Sequence, residues 1–172
     1  MTGPHKHQLK NTRTLILGGV RSGKSRLAER LAAASGLPVT YVATATADDE
    51  EMRRRIAAHR PAHWDLVEEP KRLASVLTIH ADPRRCLLVD CLTLWLTNLL
   101  LDADAALFEL ERAALLEALP GLPGKILLVS NETNMGVVPT RELSRRYCDA
   151  AGLLHQSLAA ACDRVILTVA GL

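Results

Sequence analysis

Gly18 to Ser25 read Gly-Gly-Val-Arg-Ser-Gly-Lys-Ser, directly after the apolar run Leu15-Ile16-Leu17. The segment fits G-x-x-x-x-G-K-[ST], with Gly18, Gly23, Lys24 and Ser25 in the fixed places. Leu27, Leu31 and Ala34 follow at helical spacing. A chain with this segment must turn a strand sharply into the start of a helix. Glycines there let backbone N–H groups wrap a phosphate without Cβ clashes. The helix start adds a positive dipole end to the same anion site. Gly18, Gly19, Val20, Arg21, Ser22, Gly23, Lys24 and Ser25 are thus expected to bind a nucleoside triphosphate. Lys24 is expected to reach the β- and γ-phosphates and Ser25 to ligate Mg²⁺. A glycine-rich turn that happens to precede a helix is the bland alternative; the flanking strand and helix weigh against it.

A length of 172 residues suits one domain. Apolar residues make up 48% of the chain, enough for a core, but aromatics only 3%, so Leu, Val, Ile and Ala must build it. So few rings argue against a surface that stacks bases. The net charge of +2 arises in a basic leader with Lys6, Lys10 and Arg13, and the remainder is close to neutral. Nucleic acid is therefore not an expected partner. No stretch reaches the roughly 18 apolar residues of a membrane span. Cys86, Cys91, Cys148 and Cys162 lack C-x-x-C spacing, and neither a zinc site nor a disulfide framework is expected. Residues 1–12 read as a disordered leader with no apolar segment long enough for a secretory signal, so a cytoplasmic protein is expected.

Strand and helix patterns alternate through residues 13–172. Strands are expected at 14–17, 39–43, 64–67, 87–90, 126–129 and 165–169. Helices are expected up to about Ser35, from Asp48 or Asp49 to His59, and over 71–81, 92–101, 104–119 and 140–161. Short apolar strands separated by helices imply a single α/β domain with a mostly parallel central sheet and helices on both faces. In such sheets the site lies at the carboxyl ends of the strands. The polar residues just past those ends are Thr44, Ala45 (apolar, but in the same run) and Thr46, then Glu68-Glu69, Asp90, and Ser130-Asn131-Glu132.

Asp90 ends an apolar strand, where a carboxylate can hold Mg²⁺ opposite Ser25; capping the next helix is its other reading. Arg21, inside the loop, can pair with a phosphate. Met52, Ile56 and His59 share one helical face. Periodicity alone favours a core histidine at 59. Arg53, Arg54, Arg55 and Arg60 push the other way, since they make an anion-binding neighbourhood in which a neutral imidazole could attack phosphorus. The arginine run reads equally as a solvated face balanced by Asp48, Asp49, Glu50 and Glu51.

Five segments together resemble one family: Gly18–Ser25; Tyr41-Val42-Ala43-Thr44-Ala45; Asp49-Glu50-Glu51-Met52 through His59-Arg60; Asp90-Cys91-Leu92-Thr93 with Thr97-Asn98-Leu99-Leu100; and Ser130-Asn131-Glu132 with Met135 to Pro139. In order and spacing they are similar to the bifunctional adenosylcobinamide kinase / adenosylcobinamide-phosphate guanylyltransferase family, a P-loop fold. The likeness covers about residues 13–172. It implies phosphorylation of adenosylcobinamide, with ATP or GTP as donor, followed by transfer of GMP from GTP to that phosphate. It implies a guanylylated histidine, matched here by His59, with Lys24 and Arg21 stabilising the leaving pyrophosphate. It implies nucleotide contacts at Thr44, Ala45, Thr46, Glu68 and Asp90, Mg²⁺ at Ser25 and Asp90, and a homotrimer. Two segments depart from the family pattern. Arg60 runs straight into Pro61, which shortens the loop after His59, and Asn131-Glu132-Thr133-Asn134-Met135-Gly136 replaces Asn-Glu-Val-Gly-Met-Gly. A plain P-loop kinase, a nucleotide switch and a helicase-like module are the other readings.

Overall fold

The computed structural model describes residues 11–45 and 61–172. The leader, Thr46, and the helix expected to end at His59 lie outside the described residues. Six strands form one sheet: β1 (Thr12–Gly18), β2 (Val39–Ala43), β3 (Asp65–Glu68), β4 (Cys86–Asp90), β5 (Lys125–Asn131) and β6 (Arg164–Thr168). Their order is β3-β2-β4-β5-β1-β6, and every pairing is parallel. The described helices are α1 (Lys24–Ala33), α2 (Leu73–His80), α3 (Leu92–Leu100), α4 (Leu107–Ala118) and α5 (Glu142–Ala161), with a 3₁₀ turn at Leu119–Gly121.

The strands alternate between two cores because successive side chains point to opposite faces. Leu15, Leu87, Val89, Ile126 and Leu128 face one side, where Leu73, Leu77, Trp95, Leu99, Leu115 and Leu154 cover them from α2, α3, α4 and α5. Ile16, Tyr41, Leu88, Leu127 and Val129 face the other, against Ala28 and Ala32 of α1. Small residues on α1 let that helix lie close to the sheet. Trp95 is fully buried, and its indole N–H donates to Lys71 O at 2.7 Å, so the ring enters the core without an orphaned donor.

The expected pattern of strands apolar on both faces holds for the four inner strands. It does not hold for β3 and β6, which are largely exposed. They are the sheet edges, with a strand on one side only. β1 also starts earlier than its apolar run suggests. Thr12, the last residue assigned to the leader, pairs with Lys125, and its N–H donates to Gly124 O at 3.0 Å. Arg13 ties the same strand to the turn after α4, donating to Leu119 O at 2.9 Å and Leu122 O at 2.8 Å. The four cysteines are free thiols; Cys86 is a core residue, and the other three are partly buried. Among the described residues no helix is long and apolar enough to cross a membrane.

Candidate active site

β1 ends at Gly18 and α1 begins at Lys24, so the glycine-rich segment is the whole connection between them. Ser22 N–H donates to Gly19 O at 3.1 Å and closes the turn. Two residues in it lie in the left-handed region, Arg21 at φ 57° and Gly23 at φ 94°. Gly23 takes that conformation without cost and starts α1; Arg21 takes it at a penalty that the surrounding loop must hold in place. Lys24 is buried, and its ammonium donates to Gly19 O at 3.2 Å. The first turn of α1 carries no acidic residue, so its positive end is not neutralised locally. Arg21, Gly19 and Val20 are exposed at the loop's rim, and Ser25 is partly buried.

Asp90 stands at the carboxyl end of β4, paired with Ala43 on one side and Val129 on the other. It does not cap α3, whose N-cap is Cys91 and has no side-chain cap. Instead its carboxylate faces the buried Tyr41 hydroxyl. Burial pushes that hydroxyl far above the usual tyrosine range, and the Asp90 charge adds to the effect, so Tyr41 stays a donor. Burial also pushes the Cys91 thiol up; Asp90 adds to this, and Lys24 pulls the other way. Lys24 and Asp90 are therefore both within electrostatic reach of one sulfur. The loop and Asp90 lie at the same carboxyl end of the sheet, with β5 between their strands.

Thr44 is fully buried and its polar atoms are committed. Its hydroxyl donates to Cys91 O at 2.6 Å and accepts from Cys91 N–H at 3.0 Å. Its carbonyl accepts from Asn98 at 2.8 Å. It shapes the turn after Asp90. Ala45 is buried beside it. Glu68 is exposed at the end of β3. The neighbouring Glu69 is structural: it accepts from the Lys71 and Arg72 N–H groups, 2.9 and 2.8 Å away, ahead of α2. Trp64 is buried packing. Thr46 and His59 lie outside the described residues.

β5 delivers Ser130 and Glu132, named from the sequence, to His155, which sequence reasoning missed. Ser130 and His155 are both buried, and their side chains meet at 2.8 Å. The other ring nitrogen lies 3.7 Å from Glu132, whose N–H donates to Gly18 O at 3.0 Å. Glu132 is thereby joined to the first residue of the loop, and His155 stands behind it. The available signal was a polar residue on the buried stripe Ala151, Leu154, Leu158 of α5. Next to this group, Asn131 N–H donates to Thr93 at 2.8 Å, while its side-chain oxygen is buried with no hydrogen-bond partner.

A glycine-rich loop feeding a helix start, with a lysine at that start and an aspartate at a nearby strand end, defines a P-loop nucleotide-binding domain of the α/β class. The fold agrees. A prototypical ATPase from a type III secretion system aligns with TM-score 0.53 and 12% identity, over 91% of this chain and 50% of that one. A second solved ATPase domain gives TM-score 0.53 and 13% identity, over 91% of this chain and 68% of that one. The family model "Cobinamide kinase / cobinamide phosphate guanyltransferase" matches residues 14–172. The chain belongs to that family. The bifunctional adenosylcobalamin biosynthesis protein CobP of Pseudomonas aeruginosa is 66% identical over 163 residues, 93% of this chain and 94% of the relative. The proteins of the same description named CobU are 40% identical in Salmonella typhimurium and 38% in Escherichia coli, each over 92% of this chain and 96% of the relative.

Burial holds the His155 pKa below its ordinary 6.5, against the opposing pull of Glu132. The unfolded chain therefore takes up this proton first as pH falls. The native state keeps its full stability above about 6.5 and loses part of it as pH drops from there toward the depressed native value. His155→Asn removes that ionisation and still offers Ser130 a partner. The thermal midpoint of the wild type should fall more steeply than that of His155→Asn between pH 7.5 and 5.5. Parallel curves would place the acid sensitivity elsewhere.

Proposed function

We propose that this chain phosphorylates adenosylcobinamide and then transfers GMP from GTP to the resulting phosphate through a guanylyl-histidine at His59. The observation that carries the reading is the convergence of Lys24, the start of α1 and Asp90 at one end of the sheet, in a chain that matches the kinase/guanyltransferase family over residues 14–172.

In the kinase step the substrate hydroxyl oxygen attacks the γ-phosphorus of a nucleoside triphosphate, ATP or GTP. The bond from that phosphorus to the β-bridging oxygen breaks, the nucleoside diphosphate leaves with the electron pair, and the hydroxyl proton passes to solvent. Lys24 and the loop N–H groups stabilise charge on the leaving oxygens from positions fixed before reaction. In the second reaction a His59 ring nitrogen attacks the α-phosphorus of GTP and pyrophosphate leaves. The phosphate of adenosylcobinamide phosphate then attacks the same phosphorus, the P–N bond breaks, and the imidazole is regenerated. The intermediate splits one displacement into two. Lys24 and Arg21 stabilise the departing pyrophosphate. The nucleotide lies along Gly18–Ser25, with Ala45, Thr46 and Glu68 as further contacts, while the buried Thr44 serves by shaping the turn after Asp90.

The donor set at the loop is the Ser25 hydroxyl and the Asp90 carboxylate. These are hard oxygens, and Mg²⁺ is bound by one or two such groups together with substrate phosphates. Ser25 and Asp90 would hold the ion, which neutralises phosphate charge when bound. The buried Tyr41 hydroxyl faces Asp90 and stays protonated there.

The chain acts in the cytoplasm as a homo-oligomer, a trimer by family resemblance. Val165, Leu167 and Val169, at 45, 47 and 61% exposure on and just after the edge strand β6, support self-association. Sedimentation velocity should give a species of three chains; a monomer at micromolar concentration would remove this part of the proposal.

The direct test uses GTP labelled at the α-phosphate. Denatured protein should retain acid-labile, alkali-stable label. His59→Ala should retain none, and guanylyl transfer should fall by at least about a thousandfold, with nucleotide binding preserved. Undiminished adenosylcobinamide-GDP formation by His59→Ala would sink the assignment and leave a P-loop kinase.

A further inference from the structure

We propose that Thr168, at the end of β6, is a positioning residue that clamps the phosphate-binding loop in its nucleotide-ready form. The inference rests on the reading of Gly18–Ser25 as that loop. Thr168 pairs with Gly18 in the β1–β6 register, so it sits beside the point where the loop leaves the sheet. Its hydroxyl donates to Leu17 O at 3.1 Å. It also lies 2.7 Å from the Ser22 hydroxyl, both side chains being buried. A hydroxyl has one proton to give. With the Thr168 proton on Leu17, Ser22 is the donor of the shared bond. The Ser22 side chain is thus turned into the protein and tied to β6.

The chain after β6 adds a second tie. Val169 and Leu172 exchange hydrogen bonds of 3.0 and 2.9 Å, closing a tight turn. Gly171 N–H, in that turn, donates to Ser22 O at 2.9 Å. Ser22 is held by its side chain and its carbonyl, both from residues more than 140 positions away. Gly18 fits the same picture. A Cβ there would lie 2.2 Å from the Thr168 hydroxyl and 2.4 Å from that of Ser22. The space a side chain would need is filled by the clamp itself.

The clamp matters because the loop carries Arg21 in the left-handed region. That conformation costs free energy and persists only where neighbours over-determine it. Anchored at Ser22, the loop has its N–H groups aimed before nucleotide arrives. Released, it must be ordered at the moment of binding, and affinity drops by the cost of ordering.

The test measures dissociation constants for Mg·GTP and Mg·ATP by calorimetry in the full chain, with melting midpoints of the nucleotide-free proteins alongside. Thr168→Val keeps the shape and removes the hydroxyl. It should weaken both nucleotides about fivefold to tenfold, the worth of one buried hydrogen bond. KM should rise more than kcat falls. Thr168→Ser should return affinity to within about twofold of wild type. The double variant Ser22→Ala/Thr168→Val should lose less affinity than the sum of the two single losses, because the two hydroxyls share one contact. Wild-type affinity in Thr168→Val, with only its melting midpoint lowered, would overturn the clamp. So would strictly additive losses in the double variant. A wild-type protein that binds neither nucleotide would overturn the loop reading itself. Should Thr168→Val fail to fold, Thr168→Ser and Ser22→Ala still carry the test: affinity unchanged in Ser22→Ala contradicts the clamp.

Discussion

Seven consecutive register pairs, from Thr12 with Lys125 to Gly18 with Asn131, hold β1 against β5. β6 holds its other edge from Thr14 to Gly18. Gly18 therefore leaves the sheet from a fixed point, flanked on both sides. β4 lies one strand further on, with Asp90 opposite Val129. The ends of β1 and β4 are thus separated by β5 alone, about 10 Å at ordinary strand spacing. That gap is the width over which a lysine on the loop and a carboxylate on β4 can act on one phosphate chain. The apolar residues of the inner strands secure the spacing by filling both faces of the sheet.

Local groups then refine what the sheet provides. Tyr41, from β2, sets a hydroxyl beside Asp90 at a position where burial keeps it protonated. Thr44 closes the turn after Asp90 through Cys91, and Asn98 reaches from α3 to the Thr44 and Pro70 carbonyls at 2.8 and 3.1 Å. Glu132 ties the end of β5 to Gly18, backed by His155 and Ser130. These contacts join elements distant in sequence. Together they rigidify the strand ends on which a phosphoryl-transfer site depends.

Much of this was legible in the chain itself. Leu15-Ile16-Leu17, Leu87-Leu88-Val89 and Ile126-Leu127-Leu128 announce buried strands because only inner strands of a parallel sheet are apolar on both faces. Gly18, Gly23, Lys24 and Ser25 announce the loop because phosphate binding needs those residues at those intervals. β3 offered a signal of its edge place in Asp65 and Glu68 at its two ends. The edge at β6 was not legible, since it carries Val165 and Ile166 like an inner strand and strand order alone decides that it is exposed. Nor were His155 and Thr168. Their roles arise from contacts across 25 and 146 positions, and no local pattern encodes those. Thr44 and Glu69 were read as site groups from their place past strand ends. The fold spends the hydroxyl of one on Cys91 and the carboxylate of the other on the N–H groups ahead of α2.

The central claim is that one end of one sheet serves both phosphoryl and guanylyl transfer. The most direct measurement is a crystal structure with Mg²⁺ and a non-hydrolysable GTP analogue. The account predicts the β-phosphate inside the Gly19–Ser25 loop, the ion between Ser25 and Asp90, and a His59 ring nitrogen in line with the α-phosphorus. A nucleotide bound away from the loop, or His59 packed into an apolar core with the nucleotide in place, would contradict it.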